Sequence, residues 1–158
     1  MSRYFYFGLL FLGIGLTALL ALSFYRTEPR GIGYYARGEF GGVSLRIEFA
    51  TTTAAREKGL GGRKSIPNDY GMLFVFPWDG YYGFWMKDTL IPLDMFWLDD
   101  KGQVVSMAQN VATSTYPGVF YPSVPARYVL ETAAGFAQAH GIATGTPFVL
   151  QNWPSVSE

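Results

Sequence analysis

The chain has 158 residues, enough for one ordinary domain and too few for two. Its Lys and Arg total 12 and its Asp and Glu total 12, with no basic run, so the cationic face that grips nucleic acid is missing. There is no cysteine and one histidine, which excludes disulfides, thiolate chemistry and cysteine-ligated zinc; 18% aromatic against 15% charged residues predicts a large aromatic core rather than disorder.

After a short tail over residues 1–3, the run from Tyr4 to Tyr25 carries no charge. As a helix it would extend about 33 Å, enough to cross a bilayer. A buried core helix of that length would carry a polar stripe, and this one has none, so a single-pass membrane helix is expected. Ala21-Leu22-Ser23 fits the small-residue rule for signal peptidase. The apolar run is longer than in cleaved leaders, which favours an uncleaved signal anchor. Arg3 precedes the segment and Arg26, Arg30 and Arg37 follow it, a count that points to a cytoplasmic C-terminal domain. Gly13, Thr17 and Ala21 form a row of small residues of the kind that packs helices closely.

Residues 26–39, rich in Gly, Arg and Tyr, read as a linker, with an edge strand the alternative for its last residues. The domain is expected over residues 40–152, with a tail at 153–158. Val43 to Phe49 alternates apolar and polar without a break, a half-buried strand. Thr51–Thr53 offers cap oxygens for a short helix through Lys58, stopped by Gly59. Gly61-Gly62-Arg63-Lys64 reads as a mobile loop and Pro67-Asn68-Asp69 as a turn. Met72–Phe76 is an apolar strand, Pro77-Trp78-Asp79-Gly80 a turn and Tyr81–Met86 the returning strand of a hairpin. Leu93–Leu98 and Gln103–Met107 form a second hairpin around Asp99-Asp100-Lys101-Gly102. Residues 112–126 hold three prolines and read as a long loop. Tyr128–Glu131 is a strand, Thr132–His140 a helix capped by Thr132 and stopped by Gly141, and Thr146–Gln151 the last strand. Two hairpins, single strands and only short helices predict a mainly β fold, a compact antiparallel β-sandwich or partly open barrel.

No nucleophile elbow, phosphate loop or dinucleotide fingerprint occurs, and no catalytic residue, metal or cofactor is predicted. His140 ends a helix, where a cationic imidazole suits the dipole. The candidate ligand-binding residues are Arg63, Trp85, Met86, Lys87, Asp94, Arg127 and Glu131. Asp94 lies within an apolar strand, where a carboxylate is costly unless it receives Lys87 or backbone N–H groups. Trp85 and Met86 offer polarizable surface. Of the adjacent pair Phe84 and Trp85, Phe84 is expected inward and Trp85 toward the cleft. Arg127 and Glu131, four apart on a strand, project from one face. Arg63 follows two glycines that permit close approach of its guanidinium.

Several blocks resemble the domain of unknown function 192 (DUF192) family. They are Gly59-Leu60 with Arg63, Gly71-Met72-Leu73-Phe74-Val75-Phe76, Phe84-Trp85-Met86-Lys87, Thr89-Leu90-Ile91-Pro92-Leu93-Asp94, and Arg127-Tyr128-Val129-Leu130-Glu131 with Gly135, Gly141 and Gly145. The resemblance covers roughly residues 49–149. It departs at Gly61-Gly62, where the family usually has Met and an aromatic. It implies a compact β-sandwich-like domain, often exported behind a signal or anchor, which would put this domain outside the cytoplasm, against the arginine count. It implies no reaction. The first functional expectation is a membrane-tethered, non-enzymatic domain holding a small or peptide ligand between residues 85–94 and the 112–126 loop. The alternatives are an enzyme using Lys87, Asp94 or Glu131, and an accessory subunit packing an aromatic surface on a membrane protein. The partners expected are therefore the membrane and a small molecule or protein.

Overall fold

Strand β1 (Tyr35–Phe40) opens the residues that the computed structural model describes, 35–154. It turns through Gly41-Gly42, both with positive φ, into β2 (Val43–Ala50). The alternation read from β2 is realised: Leu45 and Ile47 are buried while Ser44 and Arg46 are exposed. Helix α1 (Thr53–Lys58) follows, with the Thr52 hydroxyl accepting the Ala55 N–H at 3.2 Å. Gly59, at φ +47°, ends it in a conformation a side chain would strain. This crossover lets β3 (Tyr70–Gly80) lie parallel to β2; every other strand pair among the described residues is antiparallel. The chain continues as β4 (Phe84–Trp85), β5 (Leu93–Leu98), β6 (Val104–Val111), a 3-10 turn (Thr113–Thr115), β7 (Val119–Phe120), β8 (Ala126–Ala133), α2 (Phe136–His140) and β9 (Phe148–Leu150).

Seven strands form one sheet in the order β6-β5-β8-β3-β2-β1-β9, and β4 and β7 form a separate ribbon. The large sheet curls until its ends touch. Gln103 bridges Pro147, and the N–H groups of Val104, Gly145 and Phe148 donate to the carbonyls of Thr146, Val104 and Gly102. The fold is thus mainly β, a partly open barrel. Its central strands β3, β5 and β8 are buried on both faces. Phe40, Leu73, Phe96, Leu98, Leu130 and Phe148 fill one face. Met72, Phe74, Phe84, Met95, Trp97 and Val129 fill the other. Continuous apolar runs such as Met72–Phe76 follow from this two-sided burial.

Four expectations need correcting. Ordered pairing begins by Tyr35, not Phe40: β1 lies between β2 and β9, and the Phe40 ring packs at 5.0 to 5.9 Å from Phe96, Phe148 and Phe136. The Pro77–Gly80 stretch is no hairpin turn. β3 runs through it, paired with β8 on either side of an irregularity between Val75 and Gly80. Pro77, lacking an N–H, fits where the ladder is broken. Thr132 caps no helix; it is a buried β8 residue opposite Asp94, and α2 starts at Phe136 after Gly135. Trp153 is not tail, because it packs on Tyr128 and Phe148 at 4.4 and 5.7 Å. The segment 4–25, its small-residue row, the tail 1–3 and most of the 26–39 linker lie outside the described residues. Within the described residues no helix is long and apolar enough to cross a membrane.

Candidate functional site

A cleft of about 270 Å³ opens between α1 and the segment carrying β4. Arg56 fastens α1 over it. Its guanidinium donates to the carbonyls of Thr51 and Val75 at 2.8 and 3.0 Å and lies 5.3 Å from the Phe76 ring centroid. Lys58 sits on the last turn of α1 and Leu60 is buried beyond Gly59. Aromatic rings form the walls. Phe74 from β3 meets Phe84 edge-on at 4.8 Å, and Phe76 stacks on Tyr82 at 3.5 Å. Tyr82 is held at both ends: its hydroxyl donates to the Trp78 carbonyl and its own carbonyl accepts the Trp97 indole N–H.

Gly83 lets the ribbon close behind this wall, since a Cβ there would come within 2.6 Å of the Tyr121 ring. The 112–126 loop therefore backs β4 rather than lining the cleft, contrary to the sequence reading. Phe84 and Trp85 divide as expected, with 8% and 51% of their surfaces exposed. Lys87 follows at the rim, where the chain turns through Asp88 (φ +55°) and the Thr89 N–H returns to the Met86 carbonyl. Lys87 is exposed and makes no side-chain hydrogen bond or ion pair among the described residues.

Glu131 lies at the base. On β8 it stands between Met72 of β3 and Met95 of β5, and only 4% of its surface is exposed. Its carboxyl makes no hydrogen bond or ion pair among the described residues. No enclosed side-chain oxygen or nitrogen there lacks a partner, so the Glu131 carboxyl reaches into the cleft. Burial pushes it up to about 8, leaving it mostly neutral at pH 7.

The other candidates lie elsewhere. Asp94 is fully buried and faces the opposite side of the sheet from Glu131, with Phe96 and Leu98. Its two oxygens accept the backbone N–H groups of Asn110, at 2.7 Å, and Ala137, at 2.8 Å. Asn110 sits at φ +51° in a bulge of β6, where its N–H would otherwise lack a strand partner. Asp94 is therefore satisfied by backbone, not by Lys87, and the trio Lys87, Asp94 and Glu131 does not assemble. Met86 is core. Arg127 donates to Asp79 and to the Pro77 carbonyl, so it shares a face with Glu131 without reaching it. Arg63 is half-buried and paired. Its guanidinium grips Glu48 at 2.8 and 2.9 Å and the Tyr70 hydroxyl at 2.9 Å, while Tyr70 itself donates to Glu48. Burial pushes Glu48 up, but those hydrogen bonds outweigh it and hold the carboxyl below its usual range.

The cleft thus unites Trp85, Lys87 and Glu131 from the sequence candidates with Arg56, Lys58, Leu60, Phe74, Phe76 and Tyr82, which sequence reasoning missed. The α1 residues carry no signal of their own. Only the fold brings them opposite β4. No three His, Asp or Glu side chains among the described residues converge as a metal site would require.

Comparison with known proteins places the chain in a family. No curated protein matches the chain. A protein from Sinorhizobium meliloti 1021, described as a "putative transcription regulator", has a similar structure. It superposes with a TM-score of 0.70 at 27% identity, over 75% of this chain and 95% of its own. A protein of unknown function from Novosphingobium aromaticivorans DSM 12444 gives 0.68 and 27%, over 77% and 89%. The family model DUF192, described as an uncharacterized ACR, matches residues 36–150, and the chain belongs to that family.

Proposed function

We propose that the domain is a binding module that holds a small organic molecule in the cleft between α1 and β4. One observation carries the reading. Glu131 is a buried carboxyl with no protein partner, opening into an aromatic-walled hollow. An unpaired buried polar group costs stability, and such costs are tolerated where a ligand supplies the missing partner. The hollow lies just under the usual range of ~300–1,000 Å³ for ligand pockets, so the occupant is smaller than a typical drug. In this reading Tyr4–Tyr25 tethers the module to a membrane, with the domain on the extracytoplasmic side.

Native mass spectrometry of the full chain, purified without added ligand, tests the reading. A bound small mass is expected on the natural sequence and absent from Thr89→Trp, which fills the rim. A mass that persists in the variant, or an empty natural protein that no small molecule stabilises against heat, overturns it.

A second reading draws on the exposed side chains of the β4–β7 ribbon. Trp85 and Tyr116 meet edge-on at 6.3 Å beside exposed Val119 and Tyr121, an aromatic surface an accessory subunit would bury against a protein. Retention of a partner by the natural chain and its loss from Tyr121→Ser would favour this reading over the first.

A further inference from the structure

The cleft is chemically polarised. Its base holds a carboxyl that burial biases toward the neutral form, its walls are aromatic, and its rim is cationic. Arg56 and Lys58 come from α1 and Lys87 from the turn after β4, against a single rim carboxylate, Glu57. Arg56 is committed to backbone carbonyls and Thr53, but neither Lys58 nor Lys87 has a side-chain partner among the described residues. The strand neighbours of Glu131, Met72 and Met95, bring no charge, and besides Arg56, Glu57, Lys58 and Lys87 at the rim the hollow is lined by one further titratable group, Tyr82.

We propose, resting on the binding reading above, that the cleft takes a small aromatic monoanion, its acidic group held at the rim by Lys58 and Lys87 and its far polar group hydrogen-bonded to the Glu131 carboxyl. The walls select a flat body, because the rings of Phe74, Phe76, Tyr82 and Phe84 offer edges and faces on which another ring packs. The rim selects the sign. An ammonium ligand would meet two unpaired cations, whereas a carboxylate gains charge-assisted hydrogen bonds from both. The base selects the opposite end. A carboxyl kept neutral by burial donates to a hydroxyl or carbonyl oxygen without repelling the anion above it.

Calorimetric titration of the full chain with four ring compounds of matched size tests this. They are 4-hydroxybenzoate, 4-hydroxybenzamide, 4-hydroxybenzylamine and benzoate. 4-Hydroxybenzoate is expected to bind about 10-fold more tightly than each of the others, the scale of one hydrogen bond. The doubly substituted Lys58→Gln, Lys87→Gln protein should lose its preference for the acid over the amide while still binding the amide. Glu131→Gln, which keeps a neutral donor, should retain binding, and Glu131→Leu should reduce 4-hydroxybenzoate to the level of benzoate. Equal or tighter binding of the amide or amine overturns the anion class and leaves the pocket reading standing. Equal binding of benzoate and 4-hydroxybenzoate overturns the contact with Glu131. Failure of all four compounds to bind overturns this inference, and if the purified chain also carries no small mass, the pocket reading fails with it.

Discussion

Two carboxylates are buried in this sheet, on opposite faces of neighbouring strands, and they are treated differently. Asp94 is enclosed, and each of its oxygens receives a backbone N–H. Glu131, one position out of register across β5 and β8, has apolar neighbours and an open side. A buried acid that joins a bulge to a helix start belongs to the scaffold. One that ends in a hollow without a partner costs stability with nothing in the scaffold to offset it, the cost on which the binding proposal rests. Burial alone therefore does not separate the two acids; the presence or absence of a partner does.

The difference can be tested from the inside of the barrel outward. Deleting residues 1–39 removes all of β1 but Phe40, a strand between β2 and β9, and should abolish the cooperative melt that a chain starting before Tyr35 shows in circular dichroism. Asp94→Ala should cost about 3–5 kcal/mol in urea denaturation, because the Asn110 N–H and the buried Ala137 N–H lose their acceptor. A loss under ~1 kcal/mol would place Asp94 with Glu131 rather than against it. On the cleft side, Phe84→Ala should cost roughly 3–5 kcal/mol, whereas half-exposed Trp85→Ala should cost less than about 1 kcal/mol. The reverse order would mean that the cleft wall is set by Trp85.

Glu131 gives a pH signature. Its carboxyl titrates near 4.5 in the unfolded chain and about 8 in the fold, so between these values the unfolded chain binds fewer protons. Stability should be full below the lower value and fall through the window by roughly 1.4 kcal/mol per pH unit. Glu131→Gln should remove that slope, measured by melts from about pH 5 to about pH 8. A slope that survives belongs to another group. The smallest effect is expected at Lys87. Lys87→Met should leave stability within about 0.5 kcal/mol, and combined with Asp94→Asn it should be additive within about 0.5 kcal/mol. Coupling above ~1 kcal/mol would join the two residues after all.

What could be read from the sequence divides by range. β2, the Thr52 cap and the Asp99–Gly102 turn between β5 and β6 are legible because their determinants lie within a few residues: alternation, a hydroxyl before a helix, a polar turn. β3 misleads because Pro77-Trp78-Asp79-Gly80 has turn chemistry, while distant Ala126–Ala133 pairs with β3 on both sides of that irregular stretch. The cost of a carboxylate at Asp94 could be predicted, but whether lysine or backbone met it could not. Trp85, Lys87 and Glu131 could be singled out as unusual. Lys58 and Leu60 could not, since their proximity to β4 is made entirely by the α1 crossover.

The pairing of β1 with β9 has an architectural consequence. Gly38 lies beside Leu150 and Phe40 beside Phe148 in antiparallel register, so the start of the first strand and the end of the last emerge side by side. The domain behaves topologically as a closed loop with a single neck. A short peptide linking the residues before Tyr35 to those after Trp153 would circularise it without rerouting a strand. New termini cut at the Gly41-Gly42 turn would then yield a permuted chain with the same sheet.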